Sequence, residues 1–375
     1  MKEVVIIGGG YGGAKALKTL IAQGGVRVTL IDRNRFHYRQ AELHEFIAST
    51  IPLEKVMIDL ARFVSRLGQN ARFIHGYADR IDEAGGTVKV NGETVAFDAL
   101  IVATGASTFF PGAIKGIGAH ARDIKEFAGA FYYRQRFEEL LFMRRGKQSR
   151  VVIGGAGLSG VEIAAEMAHH ARKLGLGADE LAVTLVEPMA TVLPGMDPFL
   201  IKQSERALKA LGVESLHGHF IGEVAADRVT LSDGRELPCD LFIFTGGVSP
   251  RRASEHGTLP RGKRGEVTVL PTLQVEGREN IFAVGDVAGV SDAQGHLLPP
   301  TSQVAKQSGA CAARNIAALF QGRPLLPCPA RIKGVMVALG GHNAAGILYG
   351  KIKVSGTIGG FFKRLIFWLH AKSFR

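Results

Sequence analysis

Val4-Val5-Ile6-Ile7-Gly8-Gly9-Gly10-Tyr11-Gly12-Gly13 decides how this chain is read, and Val151-Val152-Ile153-Gly154-Gly155-Ala156-Gly157-Leu158-Ser159-Gly160 repeats its design. Each is a short apolar strand running into G-x-G-x-x-G, with Gly8, Gly10 and Gly13 in the first copy and Gly155, Gly157 and Gly160 in the second. In a βαβ unit the first glycine permits the tight turn, the second lets the backbone approach a pyrophosphate, and the third lets helix and strand pack closely. The helix that follows presents free N–H groups and the positive end of its dipole to phosphate. One such match is weak. Two, each followed by an acidic residue at the end of the next strand, predict two dinucleotide sites.

Those acidic residues select the nucleotide. Val26-Arg27-Val28-Thr29-Leu30-Ile31 alternates and ends at Asp32, nineteen residues beyond Gly13; Ala182-Val183-Thr184-Leu185-Val186 ends at Glu187. A carboxylate there accepts from ribose hydroxyls and repels a 2′-phosphate, so the second site is expected to prefer NADH to NADPH. Further on, Asn280-Ile281-Phe282-Ala283-Val284-Gly285-Asp286 reads as a buried strand running into Gly-Asp. Ala99-Leu100-Ile101-Val102-Ala103-Thr104-Gly105 and Leu241-Phe242-Ile243-Phe244-Thr245-Gly246-Gly247 read as the strands by which the chain leaves and re-enters its first domain.

This order resembles the two-dinucleotide-binding flavoproteins over about residues 1–325. The resemblance implies an α/β fold of two Rossmann-like domains, an FAD domain interrupted by an NADH domain, followed by a C-terminal amphipathic membrane-associating segment. The implied boundaries are 1–108 and 246–325 for the FAD domain, 109–245 for the NADH domain and 326–375 for a segment covering a quinone site. FAD would be held by Gly8, Gly10, Gly13, Asp32, Thr104, Gly105, Gly285 and Asp286, with Asp286 on a ribityl hydroxyl. NADH would be held by Gly155, Gly157, Gly160 and Glu187.

Cys239, Cys311 and Cys328 form neither C-x-x-C nor C-x-x-x-x-C, which argues against dithiol chemistry beside a flavin, and so against disulfide reductases and sulfide:quinone reductases of this fold. They are expected to be small buried hydrophobes in a reducing cytosol.

Within the flavoproteins the chain is similar to the type II NADH:quinone oxidoreductases. Pro299-Pro300-Thr301-Ser302-Gln303-Val304-Ala305 resembles their A-Q-x-A helix start, with Ser302 in place of the first alanine. The resemblance sets Gln303 against flavin and quinone headgroup, and Thr301 or Ser302 suits the N-cap. Gly160-Val161-Glu162 resembles their G-x-E step, which makes Glu162 a candidate for quinone binding or proton delivery, with a carboxyl pKa raised by burial. Glu166, one turn on, is expected to make an inter-helix contact. Phe36-His37-Tyr38-Arg39-Gln40-Ala41-Glu42-Leu43-His44-Glu45 is similar to their segment beside the flavin and quinone tunnel, with Ala41 where some members carry a hydroxyl and His44 a candidate proton relay.

Gly359-Gly360-Phe361-Phe362-Lys363-Arg364-Leu365-Ile366-Phe367-Trp368-Leu369-His370-Ala371-Lys372 is expected to form a helix lying in a membrane interface. Phe361, Phe362, Leu365, Phe367 and Trp368 would make its apolar face, and Lys363, Arg364, His370 and Lys372 would snorkel toward phosphates. Lys363 also matches the first residue of the family's basic pair near the quinone entrance.

Composition is compatible with this reading. The chain has 375 residues, 46% hydrophobic, and a formal net charge of +12, which suits anionic lipid or nucleic acid equally. No aromatic RNA-binding signature or zinc-finger spacing accompanies Arg251-Arg252 or Arg261-Gly262-Lys263-Arg264, so no nucleic acid is expected; His169-His170 and His217-Gly218-His219 lack four-ligand spacing, so no metal is expected. No apolar run of about eighteen residues occurs, and no charged segment with an apolar h-region opens the chain, so neither a span nor a cleaved signal is expected.

The expected activity is non-proton-pumping transfer from NADH through FAD to a membrane quinone, at the cytoplasmic face of the cell membrane, with a homodimer among the expected partners. Two alternatives stay open: a soluble NADH-dependent reductase of a ferredoxin-like or rubredoxin-like carrier, and a flavin-bound protein resembling apoptosis-inducing factor that acts on nucleic acid.

Overall fold

The computed structural model describes residues 1–142, 146–251, 259–372 and 374. Arg252 and the side chain of His370 lie outside the described residues. The chain forms two compact units, one of residues 1–38, 57–106 and 249–332, the other of residues 39–56, 107–248 and 333–375.

The first unit opens with β1 (Lys2–Ile7), α1 (Tyr11–Gln23) and β2 (Val26–Asp32). Residues 39–56, with the short helix α2 (Leu43–Ile47), belong to the second unit, and the chain then returns with β3 (Ala71–His75) and β4 (Ala99–Val102). The second unit continues with α3 (Phe127–Phe142), β5 (Ser149–Gly154), α4 (Leu158–Lys173), β6 (Leu181–Glu187), β7 (Glu214–His217) and β8 (Leu241–Phe244). β9 (Ile281–Ala283) and α5 (Ser302–Phe320) complete the first unit. The second ends with β10 (Gly334–Ala338), β11 (Ala344–Leu348), β12 (Ile352–Val354) and α6 (Gly356–Lys372).

Both units are built on one plan. The first has a parallel sheet in the order β9-β4-β1-β2-β3, the second one in the order β7-β6-β5-β8. β1 is central in the first, with Val4 opposite both Val28 and Ala99; β5 is central in the second, with Val151 opposite both Val183 and Leu241. Central parallel strands are covered on both faces, which is why β2 is buried through Val28–Ile31 instead of alternating, as its sequence suggested. Each unit also inserts a three-stranded antiparallel sheet before the last strand of the repeat, residues 78–96 before β4 and residues 221–238 before β8. Val88, Val90 and Phe97 carry the first insertion onto the core of Val5, Ile7, Leu100 and Val102; Val229 and Leu231 do the same against Val152 and Phe242. Burying each such side chain contributes roughly 1.5–3 kcal/mol.

Three expectations are corrected. The expected boundaries, 1–108 and 246–325 around 109–245 with a separate 326–375, give way to further interleaving: residues 39–56 and 333–375 cluster with the second nucleotide-type sheet. β8 is an edge strand of that sheet and not a re-entry into the first unit. Cys311 and Cys328 form a disulfide, joining α5 to the segment that follows it, while Cys239 is free and buried. Their separation of 17 residues matches no redox motif, so only the fold brings them together, with a Cα–Cα distance of 5.8 Å. Among the described residues, no helix is long and apolar enough to cross a membrane.

Candidate functional site

The first unit holds one glycine cradle. Gly8 has φ +106°, closed to most L side chains, and a Cβ on Gly13 would sit 1.9 Å from the Gly8 carbonyl oxygen. A Cβ on Gly10, by contrast, would meet nothing within 4 Å. The open face at Gly10, at the uncapped start of α1, is the space a diphosphate needs. Asp32 closes the cradle: Oδ2 accepts from the Gly9 N–H (2.6 Å) and Oδ1 from the Asn34 N–H (2.7 Å). Burial raises its carboxyl above the ordinary range against those two hydrogen bonds. Gly105 (φ +72°) also has an open Cβ position, and Arg251 ties this corner through its N–H to the Gly105 carbonyl (2.9 Å) and its own carbonyl to the Thr104 hydroxyl (3.3 Å).

Gly285 and Asp286 lie in a one-turn 3-10 helix, shorter than the strand and helix expected there, and the Gly285 N–H donates to Ser308 on α5 (3.1 Å). Thr301 caps α5, its hydroxyl accepting from the Val304 N–H (3.3 Å), so Gln303 stands in the first turn.

The second unit repeats the cradle. Gly155 has φ +98°, Gly160 would place a Cβ 1.9 Å from the Gly155 carbonyl oxygen, and Gly157 is open. Glu187 takes the place of Asp32, with Oε2 accepting from Ala156 (2.7 Å) and Oε1 from Met189 (3.0 Å). In both cradles the acidic side chain braces the loop, which fixes where its remaining lone pairs point.

A cluster of buried charges lies on α4, α2 and α6 of the same unit. Glu162, in the second turn of α4, accepts on Oε1 from the Ala338 N–H (2.9 Å) and from the Lys363 ammonium (2.8 Å). Lys363 Nζ is 3.0 Å from His44 Nε2, and His44 Nδ1 is 3.8 Å from Glu162 Oε2. Burial would raise the Glu162 carboxyl, but Lys363, then His44 and the two hydrogen bonds outweigh it, so its pKa lies below the ordinary range. The expected rise is therefore reversed, because a cation entered the cavity with the carboxylate. Burial and Lys363 push His44 down to about 4, leaving a neutral ring.

Lys363 itself is 6% exposed, so it does not snorkel. Gly359 and Gly360 explain why: Cβ atoms there would fall 2.2 Å and 1.8 Å from the carbonyl oxygens of Ala344 and His342, so α6 lies backbone to backbone on the β10–β11 turn with Lys363 turned inward. Glu166, expected at an inter-helix contact, accepts instead from the Gly341 N–H of that turn (2.9 Å). Arg39 adds a second tether, donating from Nη1 to the Lys55 carbonyl (2.6 Å) and from Nη2 to the Phe367 carbonyl (3.1 Å) while pairing with Glu42 (2.8 Å). Burial lifts the Glu42 carboxyl to about 7 despite Arg39. Sequence reading passed over Arg39 and Glu42 as individual residues; their opposite charges at i,i+3 spacing were the available signal. The outward face of α6 carries Ile358, Phe361, Leu365, Ile366, Trp368 and Leu369, all exposed, whereas Phe362 and Phe367, expected among them, are half-buried.

Among the described residues, no group of three or more His, Cys, Asp or Glu side chains is arranged to hold a metal ion. The profile of the pyridine nucleotide-disulphide oxidoreductases matches residues 2–309. The chain belongs to that family. A type II NADH:quinone oxidoreductase of Staphylococcus saprophyticus is 28% identical over 97% of this chain and 94% of its own length. Two solved structures share the fold. The sulfide:quinone oxidoreductase of Aquifex aeolicus matches at TM-score 0.84 and 20% identity over 100% of this chain and 92% of its own. NDH2 of Plasmodium falciparum in complex with NADH matches at TM-score 0.80 and 16% identity over 99% and 98%.

Proposed function

We propose that this chain is a type II NADH:quinone oxidoreductase, holding FAD in the first cradle and NADH in the second. The observation that carries the reading is the duplicated cradle, each copy braced by its own carboxylate, in a chain that matches enzymes of that name over nearly its whole length. Both cradles fit a dinucleotide, because the open faces at Gly10 and Gly157 are where a diphosphate would lie. The chemistry supplied by a bound FAD would be two-electron transfer between NADH and the quinone. Asp32 and Glu187 orient the adenosine riboses, and Glu187 repels the 2′-phosphate of NADPH. Thr104, Gly105, Gly285 and Asp286 complete the flavin contacts, and Gln303 meets the quinone headgroup.

Glu162 and Lys363 keep a fixed charge pair for quinone reduction. At 20% identity the sulfide:quinone likeness is one of fold.

The exposed apolar face of α6, flanked by Lys372 over the Trp368 ring (5.1 Å), is assigned to a lipid surface at the cytoplasmic side of the membrane. Self-association through that face is the competing outcome, read from sedimentation with and without anionic vesicles.

The function is tested anaerobically. NADH should bleach the flavin faster than NADPH does, and a short-chain quinone should restore the colour. Bleaching that quinone fails to reverse would redirect the reading to a protein acceptor.

A further inference from the structure

An ammonium group only donates, so the 3.0 Å contact from Lys363 Nζ to His44 Nε2 requires a lone pair on Nε2. The proton of the neutral ring is thereby assigned to Nδ1, which lies 3.8 Å from Glu162 Oε2 and has no hydrogen-bond partner among the described residues. A second proton on His44 would set N–H against N–H at 3.0 Å, in a pocket where the ring is 1% exposed. The placement of Lys363 and a charge on His44 therefore exclude each other.

We propose that His44 is a positioning residue for the quinone half of the reaction: its neutral Nε2 holds the Lys363 ammonium against Glu162, and protonating His44 expels the ammonium and slows quinone reduction, leaving reduction by NADH intact. This rests on the function proposed above. Negative charge grows on the quinone oxygens as two electrons arrive, and a positive group held in place lowers that barrier, whereas one free to swing outward does not.

The charges facing His44 come from every neighbouring element. Glu45 on α2 lies 3.8 Å from Nε2, α4 brings Glu162 and Glu166, and α6 brings Lys363, whereas Arg364 acts on Glu45, His170 bonds the Ala48 carbonyl and Arg134 on α3 pairs with Glu138. Burial and Lys363 outweigh the carboxylates, so the switch lies on the acid side, near pH 4.

The test uses full-length, flavin-loaded protein on vesicles and measures flavin bleaching by NADH and reoxidation by a short-chain quinone, separately, between about pH 4 and pH 8. Two variants are compared. His44→Gln keeps an acceptor near Nε2 and cannot titrate; His44→Phe keeps the bulk and removes the acceptor. His44→Phe should slow reoxidation about tenfold, the effect of losing a hydrogen bond to a charged group, with bleaching unchanged. His44→Gln should restore the rate and abolish the acid limb.

A wild-type rate and acid limb in His44→Phe, or a retained acid limb in His44→Gln, would overturn the proposal. Should His44→Phe fail to fold, the acid limb of His44→Gln decides alone. If quinone fails to reoxidise the wild-type flavin, it is the function that falls, a result distinct from either variant's.

Discussion

The two units have matching cradles and unlike clamps. In the first, α1 and α5 meet backbone to backbone, a Cβ on Gly309 falling 2.2 Å from the Gly12 carbonyl oxygen, and a disulfide ties α5 to the chain beyond it. In the second, α4 carries Glu162 and Glu166 inward, and the clamp on α6 is ionic. A disulfide is indifferent to mild acid and sensitive to reductant; a buried ion cluster is the reverse. The same nucleotide-binding plan is therefore stabilised by two chemistries that can be weakened one at a time.

The largest effects come from breaking what the units share. Gly13→Val drives its side chain onto the Gly8 carbonyl and should yield colourless protein, whereas Gly160→Val should stay yellow and no longer bleach with NADH, both read by absorbance. Next, Lys363→Met leaves the Glu162 carboxylate unpaired and should cost about 3–5 kcal/mol in denaturant unfolding of the second unit.

Replacing both Cys311 and Cys328 by serine opens a 17-residue loop and should cost about 3 kcal/mol, with reductant reproducing the loss in the wild type and Lys363→Met leaving that sensitivity unchanged. Acid sharpens the contrast. Glu162, its carboxyl depressed, contributes stability above the ordinary carboxylate range and loses it as pH falls through its folded pKa. His44 acts in the same direction between 6.5 and about 4, where the unfolded chain binds a proton that the folded ring refuses. Glu42 has the opposite sign: raised from 4.5 to about 7, it favours the folded state at low pH and loses that advantage as pH rises across this interval. Glu42→Gln should therefore gain stability relative to wild type from pH 4.5 to about 7, measured as Tm. The smallest effect is expected at Glu187→Gln, which should reduce the NADH over NADPH preference roughly tenfold in bleaching titrations.

The cradles were legible because their signal is local: six residues fix Gly8, Gly10 and Gly13, and one strand later stands Asp32. The buried cluster was not, since His44, Glu162 and Lys363 are separated by more than a hundred residues each and meet only through the fold. Lys363 was misread from periodicity: in a basic pair with Arg364 between apolar residues, it carries the pattern of a snorkelling side chain, and only the contact of Gly359 and Gly360 with the β10–β11 turn shows which way it faces. The disulfide was missed because the spacing of Cys311 and Cys328 matches no motif. Both three-stranded insertions were missed because they are short, turn-rich strands without a distinct chemical signature.

Lys363 and the Phe367 carbonyl, one helical turn apart, are each moored to the second unit, the first by Glu162 and His44 and the second by Arg39. A rod held at two points on one side cannot roll. The row Ile358, Phe361, Leu365 and Leu369 thus behaves as a keel whose bearing is set before anything receives it. Whatever apolar surface accepts that keel accepts the second unit at one angle.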